Sequence, residues 1–360
     1  MNILHLLLTG EPGGIEVLAK NIALHSENRN IMYFIFSGGI IAEEMSKENI
    51  PVIIANTPRY RWKKKIEEFV CYCREARVDV VVNHMESPVA CAFVLAVKRE
   101  IPSIKVLYYL HCDARDIVKG AKGKLIYRPI IREMQKCCDK IIAISDFVKR
   151  TGMEAYGLPD NKIEVIYNGV DITRFVPAEH VPTGAPMELF FVGRLIRDKG
   201  VHLLLEALST LPTDIHVHTT IVGYGAEYEN LLKQASELGL SGTVSFLGKR
   251  TDISALLQKA DYFVHPAIWQ EGFGITLIEA MGCGKPCIAS RGGAVPEIID
   301  DSSGILFELG SCSDLTRKIE EAYSLLRTQT YMDMCTAARQ RAEWFDINVM
   351  ISKLESLYIL

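Results

Sequence analysis

The sequence predicts two doubly wound α/β domains in tandem, and three observations carry that prediction. Short apolar, β-rich runs alternate with stretches of helical periodicity, and the alternation restarts after a proline-rich break beyond residue 170. At 360 residues the chain also exceeds what one ordinary core requires and suits two domains of similar size. A parallel strand covered on both faces reads as a nearly continuous apolar run, which is the form these runs take.

In the first half NILHLLLTG is such a strand, and GIEVLAKNIALH follows with Ile15, Val17, Leu18 and Ile22 at helical spacing. IMYFIFSGG and PVIIANT are the next strands, IEEFVCYCREA is a helix, and VDVVVNHM, KVLYYLHCD and KIIAISDF complete the set. VDITRFVPAEHVPTGAPM has three prolines and little periodicity, so the linker is placed at 174–186, after a first domain of 1–173. A second domain, 187–344, carries strands MELFFVG, HVHTTIVG, TVSFLG, DYFVHP, KPCIAS and GILFE. Its expected helices are VHLLLEALSTL, EYENLLKQASEL, ISALLQKA, GITLIEAMGCG and one long DLTRKIEEAYSLLRTQ. Residues 345–360 are expected to form a helix that packs back on the first domain.

Composition excludes several classes. Apolar residues at 49% and charged residues at 23% are an ordinary globular balance, and a net charge of −4 argues against nucleic-acid binding. The charge is unevenly spread. Residues 1–176 hold 25 Lys and Arg against 21 Asp and Glu, a net of +4, and the remainder holds 15 against 23, a net of −8. An anionic partner is therefore expected on the first half. The ten cysteines form no CxxC pair and no zinc spacing, so reduced, packed thiols are expected. MNILHLLLTGEPGG lacks the features of a signal peptide, and no run approaches the ~20 apolar residues of a membrane span, so a cytoplasmic protein is expected.

Six segments carry chemistry. In HPAIWQEGFGITLIEAMGCGKPCIAS a strand ends at Pro266, a loop carries Glu271, Gly272, Phe273 and Gly274, and a helix starts near Ile275. Free amides and the positive dipole end at that start suit a diphosphate. Glu271 before the helix and Glu279 inside it could grip different hydroxyl-bearing parts of one ligand. In LFFVGRLIRDKGVHLLLEAL a strand delivers Arg194, while Lys199 precedes a helix whose dipole it would oppose unless an anion binds there. Gly13 and Gly14 open the first helix, and His111 stands just past a strand end. Finally, PRYRWKKK joins Arg59, Arg61, Lys63, Lys64 and Lys65 to Tyr60 and Trp62, and KGAKGKLIYR adds Lys119, Lys122, Lys124 and Arg128. Basic residues interleaved with aromatics fit an anionic membrane surface.

These segments resemble the family 4 retaining glycosyltransferases, which have the GT-B fold of two Rossmann-like domains facing across a cleft. Glu271 and Glu279 match the family's E-x7-E pattern with its EGFG-type start, and GRLIRDKG matches its G-R-L-x-x-x-K-G signature. RGGAVPEII, IIAISDFVKRTG and IEVIYNGVDITRF, with Asn168 and Asp171, resemble further family segments. The resemblance implies an acceptor-binding first domain and a donor-binding second one. Glu271 and the amides of Phe273 and Gly274 would hold the transferred sugar, Glu279 the ribose, and Arg194 and Lys199 the leaving diphosphate. Gly13, Gly14 and His111 would also meet the donor. A nucleotide-sugar, a glycan or lipid-linked acceptor, no cofactor and no metal are then expected.

Three rivals are weaker. A dinucleotide oxidoreductase would need G-x-G-x-x-G, and the first turn reads Gly10-Glu11-Pro12-Gly13-Gly14. A nucleotide-sugar isomerase would have no use for the basic aromatic segment, and a non-catalytic binding subunit none for the full set Arg194, Lys199, Glu271 and Glu279.

Overall fold

A computed structural model describes residues 1–55, 58, 60–178 and 186–359, apart from the side chain of Lys122. The chain divides into one unit of Met1–Asn168 with the segment from Ile347 onward, and a second of Gly169–Asp346. Each is built on one sheet. The first holds β1 (Asn2–Thr9), β2 (Arg29–Ser37), β3 (Val52–Ile54), β4 (Val80–Asn83), β5 (Lys105–Leu110), β6 (Lys140–Ala143) and β7 (Ile163–Val165). The second holds β8 (Met187–Val192), β9 (Val217–Val222), β10 (Val244–Phe246), β11 (Tyr262–His265), β12 (Cys287–Ser290) and β13 (Gly304–Phe307). Their orders are β3-β2-β1-β4-β5-β6-β7 and β10-β9-β8-β11-β12-β13. All neighbours are parallel.

Both orders reverse once, between β1 and β4 and between β8 and β11. Chains leaving the carboxyl ends of those strands diverge, which opens the crevice where such sheets bind ligands. The expected strands are all present, and β7 joins them. The strands are apolar because helices cover them. Leu189, Phe191, Leu204, Leu205, Ile221, Tyr262, Val264 and Ile288 form part of one buried cluster in the second unit.

Two boundaries differ from the sequence reading. The division falls at Asn168, not within 174–186, because the start of that stretch is held by the second unit. Arg339 Nη1 donates to the carbonyls of Phe175 and Gly282, each at 2.7 Å, and Gln258 Nε2 donates to that of Val176 at 2.9 Å. Residues 179–185 of the expected linker lie outside the described residues. The single long helix expected over 314–329 is two, Cys312–Leu325 and Gln329–Glu343. Arg327 takes a left-handed φ of 68°, and the Thr328 hydroxyl caps the second helix at the amide of Tyr331. Helix Ile347–Ile359 belongs to the first unit, where Glu355 accepts from Asn28 Nδ2 at 2.8 Å and Lys105 Nζ donates to the Tyr358 carbonyl at 3.0 Å.

Candidate active site

In the second unit three loops meet at the reversal between β8 and β11. Beyond β8 the chain passes Arg194 and makes a short 3₁₀ turn, Arg197–Lys199, before helix Val201–Ser209. Gly200 takes a φ of +71°, and a Cβ there would collide with the carbonyl of Pro266. The Lys199 turn therefore lies directly on the exit from β11, tied to it by Ile268 N–H donating to the Asp198 carbonyl at 2.9 Å. The loop after β12 closes the third side. Gly293, at φ +57°, leaves no room for a side chain against the main chain of Glu271, and Ala294 N–H donates to the Glu271 carbonyl at 2.8 Å.

That backbone brings Lys199 and Glu271 together. Lys199 Nζ lies 2.6 Å from Glu271 Oε2, with side chains 17% and 13% exposed, so water screens the pair little. Trp269 Nε1–H donates to the same oxygen at 3.2 Å, and the Lys199 ammonium stands 5.4 Å from the centroid of the Trp269 ring. His265 Nε2 faces Glu271 Oε2 at 3.5 Å, an electrostatic contact too long for a well-made hydrogen bond. Burial alone would raise the Glu271 carboxyl, but His265 and the Lys199 charge outweigh it and hold it well below the ordinary carboxylate range.

The other expected residues sit around this pair. Gly274 caps helix Ile275–Gly282, whose first amides have no carbonyl partner within the helix. Gly272 and Phe273 are buried, Phe273 with its ring edge-on to Phe345 at 5.8 Å. Glu279 is half-buried one turn inside the helix. Burial pushes its carboxyl up to about 7, with the Arg174 charge pulling the other way. Arg194 is exposed, and among the described residues its guanidinium has no hydrogen-bond or ion-pair partner. Trp269, His265 and Arg174 were not singled out from the sequence. His265 and Trp269 do sit where DYFVHP leaves its strand, so a reading of every polar residue at a strand exit would have found them.

In the first unit Gly13 and Gly14 open helix Gly14–His25, as expected. The Glu16 carboxylate folds back over Gly13 into the space a side chain there would occupy. Burial raises its pKa, with its own backbone amide opposing. His111 stands half-buried just beyond β5, with Nε2 at 3.1 Å from His84 Nδ1. Asn168 is buried, and Asp171 caps a 3₁₀ turn at Ile172–Arg174, accepting from Thr173 N–H at 3.2 Å. Just after β4, Glu86 is pushed up to about 7 by burial, with Cys112 and Tyr156 donating to it.

The basic segment is divided. Arg61, Lys63 and Lys64 are exposed at the start of helix Trp62–Glu75, and Lys64 lies 3.9 Å from Glu68. Lys65 is not part of that surface. It is 1% exposed, and its Nζ donates to the Ile35 carbonyl at 2.6 Å. Trp62 packs inward, edge-on to Phe93 at 5.3 Å. Arg59 lies outside the described residues. Further along, Lys119 and Lys124 are exposed beside Leu125 and Ile126, which are 76% and 48% exposed.

Two Rossmann-like units on parallel sheets, with an ion pair and a helix start at the reversal of the second, define the architecture of a GT-B glycosyltransferase. The comparisons agree. The family model for glycosyltransferase family 4 matches residues 12–174, and that for glycosyl transferases group 1 matches residues 175–341. The chain belongs to the family 4 glycosyltransferases. It is 27% identical to the N-acetyl-alpha-D-glucosaminyl L-malate synthase of Bacillus anthracis, over 78% of this chain and 74% of that one. It is likewise 27% identical to the D-inositol 3-phosphate glycosyltransferase of Corynebacterium jeikeium, over 85% and 82%. The crystal structure of Anabaena HepE in complex with UDP superposes with a TM-score of 0.88 at 25% identity, covering 100% of both chains. Among the described residues no helix is long and apolar enough to cross a membrane.

Proposed function

We propose that this protein is a retaining glycosyltransferase that moves a hexose-type sugar from a nucleotide diphosphate-sugar to a hydroxyl of a glycan or lipid-linked acceptor. The observation that carries this reading is the Lys199–Glu271 pair at the β8–β11 reversal. It puts an ammonium for a phosphate and an ionised carboxylate for sugar hydroxyls side by side, next to a helix start. Arg194 offers a planar fork with no competing partner among the described residues. In this reading Arg194, Lys199 and the amides near Ile275 stabilise the leaving diphosphate, while Glu271 orients the sugar and Glu279 binds the ribose. Gly13, Gly14 and His111 contribute from the first unit.

The departing diphosphate itself helps to deprotonate the acceptor hydroxyl as that hydroxyl attacks on the same face. The old glycosidic bond breaks to the phosphate oxygen, the new one forms to the acceptor oxygen, and configuration is retained. Catalysis then rests on positioning and on stabilising the leaving charge. HepE, crystallised with UDP and with UDP and glucose, supports a UDP-hexose donor. A putative colanic acid biosynthesis glycosyltransferase of Escherichia coli, 29% identical, supports a place in envelope polysaccharide assembly. The exposed Arg61, Lys63, Lys64, Leu125 and Ile126 support contact with an anionic membrane face.

A panel of UDP-, GDP- and ADP-sugars tests the reading through turnover and thermal stabilisation, with the anomeric form of the product read by NMR. Stabilisation by none of them, or an inverted product, would overturn it. Because Arg194, Lys199 and the helix start supply the positive charge, transfer is expected to survive EDTA, and a loss restored by manganese would refute that part.

A further inference from the structure

Four adjacent strands of the first sheet each contribute one polar side chain to a single line. Asn30 comes from β2, His5 from β1, His84 from just beyond β4 and His111 from just beyond β5. His5 Nε2 lies 2.9 Å from Asn30 Oδ1, His5 Nδ1 lies 2.8 Å from His84 Nε2, and His84 Nδ1 lies 3.1 Å from His111 Nε2. The rings run edge to edge and nearly coplanar, tilted by 22° and 21°, with centroids 5.1 Å apart for His5 and His84 and 5.3 Å for His84 and His111. Tyr109 lies nearly parallel to His111, with ring centroids 4.8 Å apart, and so supports the plane of the imidazole. His5, Asn30 and His84 are all buried. The sheet core gains nothing from three imidazoles that apolar residues would not give, so the row needs another explanation.

The chemistry at one end fixes the direction of every bond. Asn30 Nδ2 lies 2.9 Å from the carbonyl of Asn28, and a main-chain carbonyl can only accept, so Asn30 turns its Oδ1 to His5. His5 Nε2 must then carry a proton. Burial holds each ring neutral, with one proton per imidazole. His5 Nδ1 is therefore a bare lone pair, and His84 Nε2 must donate to it. The same step repeats, so His84 Nδ1 accepts from His111 Nε2–H. His111 is left with an unprotonated Nδ1, which has no partner among the described residues.

We propose that Asn30, His5 and His84 are positioning residues that lock His111 in its Nε2–H tautomer and present Nδ1 as an acceptor-only group to a hydroxyl of the transferred sugar. The last clause rests on the proposed glycosyl transfer, whereas the tautomer does not. An acceptor-only nitrogen takes a hydroxyl, which can donate, and disfavours a carboxylate, which cannot. The row thus biases the protein toward neutral sugars at the position that His111 meets.

Imidazole nitrogen NMR of the unliganded protein reads the tautomers directly. His5, His84 and His111 are each expected to show a protonated Nε2 and a bare Nδ1. A protonated Nδ1 on His111, or exchange averaging of its two nitrogens, overturns the proposal. Asn30→Leu keeps the side-chain shape and removes the anchoring acceptor without touching any substrate. His111 is then expected to lose its single tautomer. The kcat/KM for the nucleotide-sugar should fall about fivefold, the worth of one neutral hydrogen bond, with UDP affinity unchanged. If Asn30→Leu leaves both the His111 signals and kcat/KM as they were, the relay is refuted. If it does not fold, the wild-type spectrum alone decides. Should the wild type show the expected tautomers yet transfer no sugar, the glycosyl-transfer reading fails and the tautomer lock stands.

Discussion

The loop clusters at the two sheet reversals hold their polar groups in opposite ways. In the second unit charge is kept: Lys199 and Glu271 meet at 2.6 Å, and the carboxyl is held ionised. In the first unit charge is removed: burial lowers the pKa of His5 to about 4, with its Asn30 bond opposing, and that of His111 to about 3. The same sheet topology thus supports one site suited to countering a charge that develops during reaction and another suited to orienting a neutral group. Preorganised charge is worth several kcal/mol in a transition state, while a neutral hydrogen bond is worth about 1 kcal/mol. Mutations in the two places should differ accordingly.

The largest expected effect is at the charged cluster. Negative charge builds on the leaving diphosphate as the glycosidic bond breaks, so contacts there strengthen toward the transition state. Arg194→Ala or Lys199→Ala should each cost ~2.7–4 kcal/mol, roughly a hundred- to a thousandfold in turnover, with the fold intact by circular dichroism. Arg194→Lys should recover little, because a point charge does not replace a bidentate fork. If Arg194 were only a surface residue the change would stay below about 0.5 kcal/mol, so steady-state kinetics separate the two outcomes.

Next in size is a change in stability at Lys65. Lys65→Met keeps the packed stem but leaves the Ile35 carbonyl without its donor, which should cost about 1–3 kcal/mol in denaturant unfolding. Lys63→Met on the exposed side should cost less than about 0.5 kcal/mol. Equal midpoints for the two variants would contradict the buried placement.

What the sequence could and could not show follows from range. Strands and the helix starts near Gly13 and Gly274 are local, written in runs of about ten residues, and they were legible. Lys65 looked like part of a charge run, but it shares the buried stripe of its helix with Phe69 and Cys73, at spacings of four and eight. Periodicity, weighed against charge, would have exposed it. Residues 169–173 were read as first domain and 174–178 as linker, because carbonyls captured by Arg339, far along the chain, leave no local trace. The histidine row is harder still. Its members lie on four strands, and only the order β2-β1-β4-β5 makes them neighbours. Lys199 and Glu271 were each found through motifs, yet their pairing across 72 positions was not.

A third test separates Glu279 from its ionised neighbour by pH. Burial raises the Glu279 carboxyl from 4.5 to about 7, so the folded protein keeps a proton that the unfolded chain has released. Its contribution to stability is therefore fully present below the unfolded value and is lost as pH rises toward about 7. Ribose hydroxyls donate best to the ionised form, so UDP affinity should rise as pH increases through that range. From one pH unit below the midpoint to one above, the ionised fraction grows about tenfold, and so should affinity. The phosphate of UDP titrates nearby, so the comparison is with Glu279→Gln, in which the Glu279 part of the slope should vanish. Calorimetric slopes that coincide in the two proteins would remove Glu279 from the ribose.

The smallest expected effect is at the exposed basic surface, and the fold changes how it must be measured. Alanine at Lys63, Lys64 and Lys65 together would mix surface charge with the cost of unburying Lys65. The informative variant is Lys63→Ala with Lys64→Ala, leaving Lys65 in place. Each exposed lysine near an anionic bilayer contributes about 1 kcal/mol, so the pair should weaken binding to phosphatidylserine vesicles by at most about 2 kcal/mol. Lys64 already neighbours Glu68 at 3.9 Å, so its share should be the lesser. Raised salt should weaken the wild type toward the double variant, since exposed charges are screened over about 10 Å at ~0.1 M. UDP binding should stay unchanged, because neither lysine is among the proposed donor contacts. Vesicle sedimentation that is identical for both proteins at low salt would show that these lysines only solvate the start of their helix.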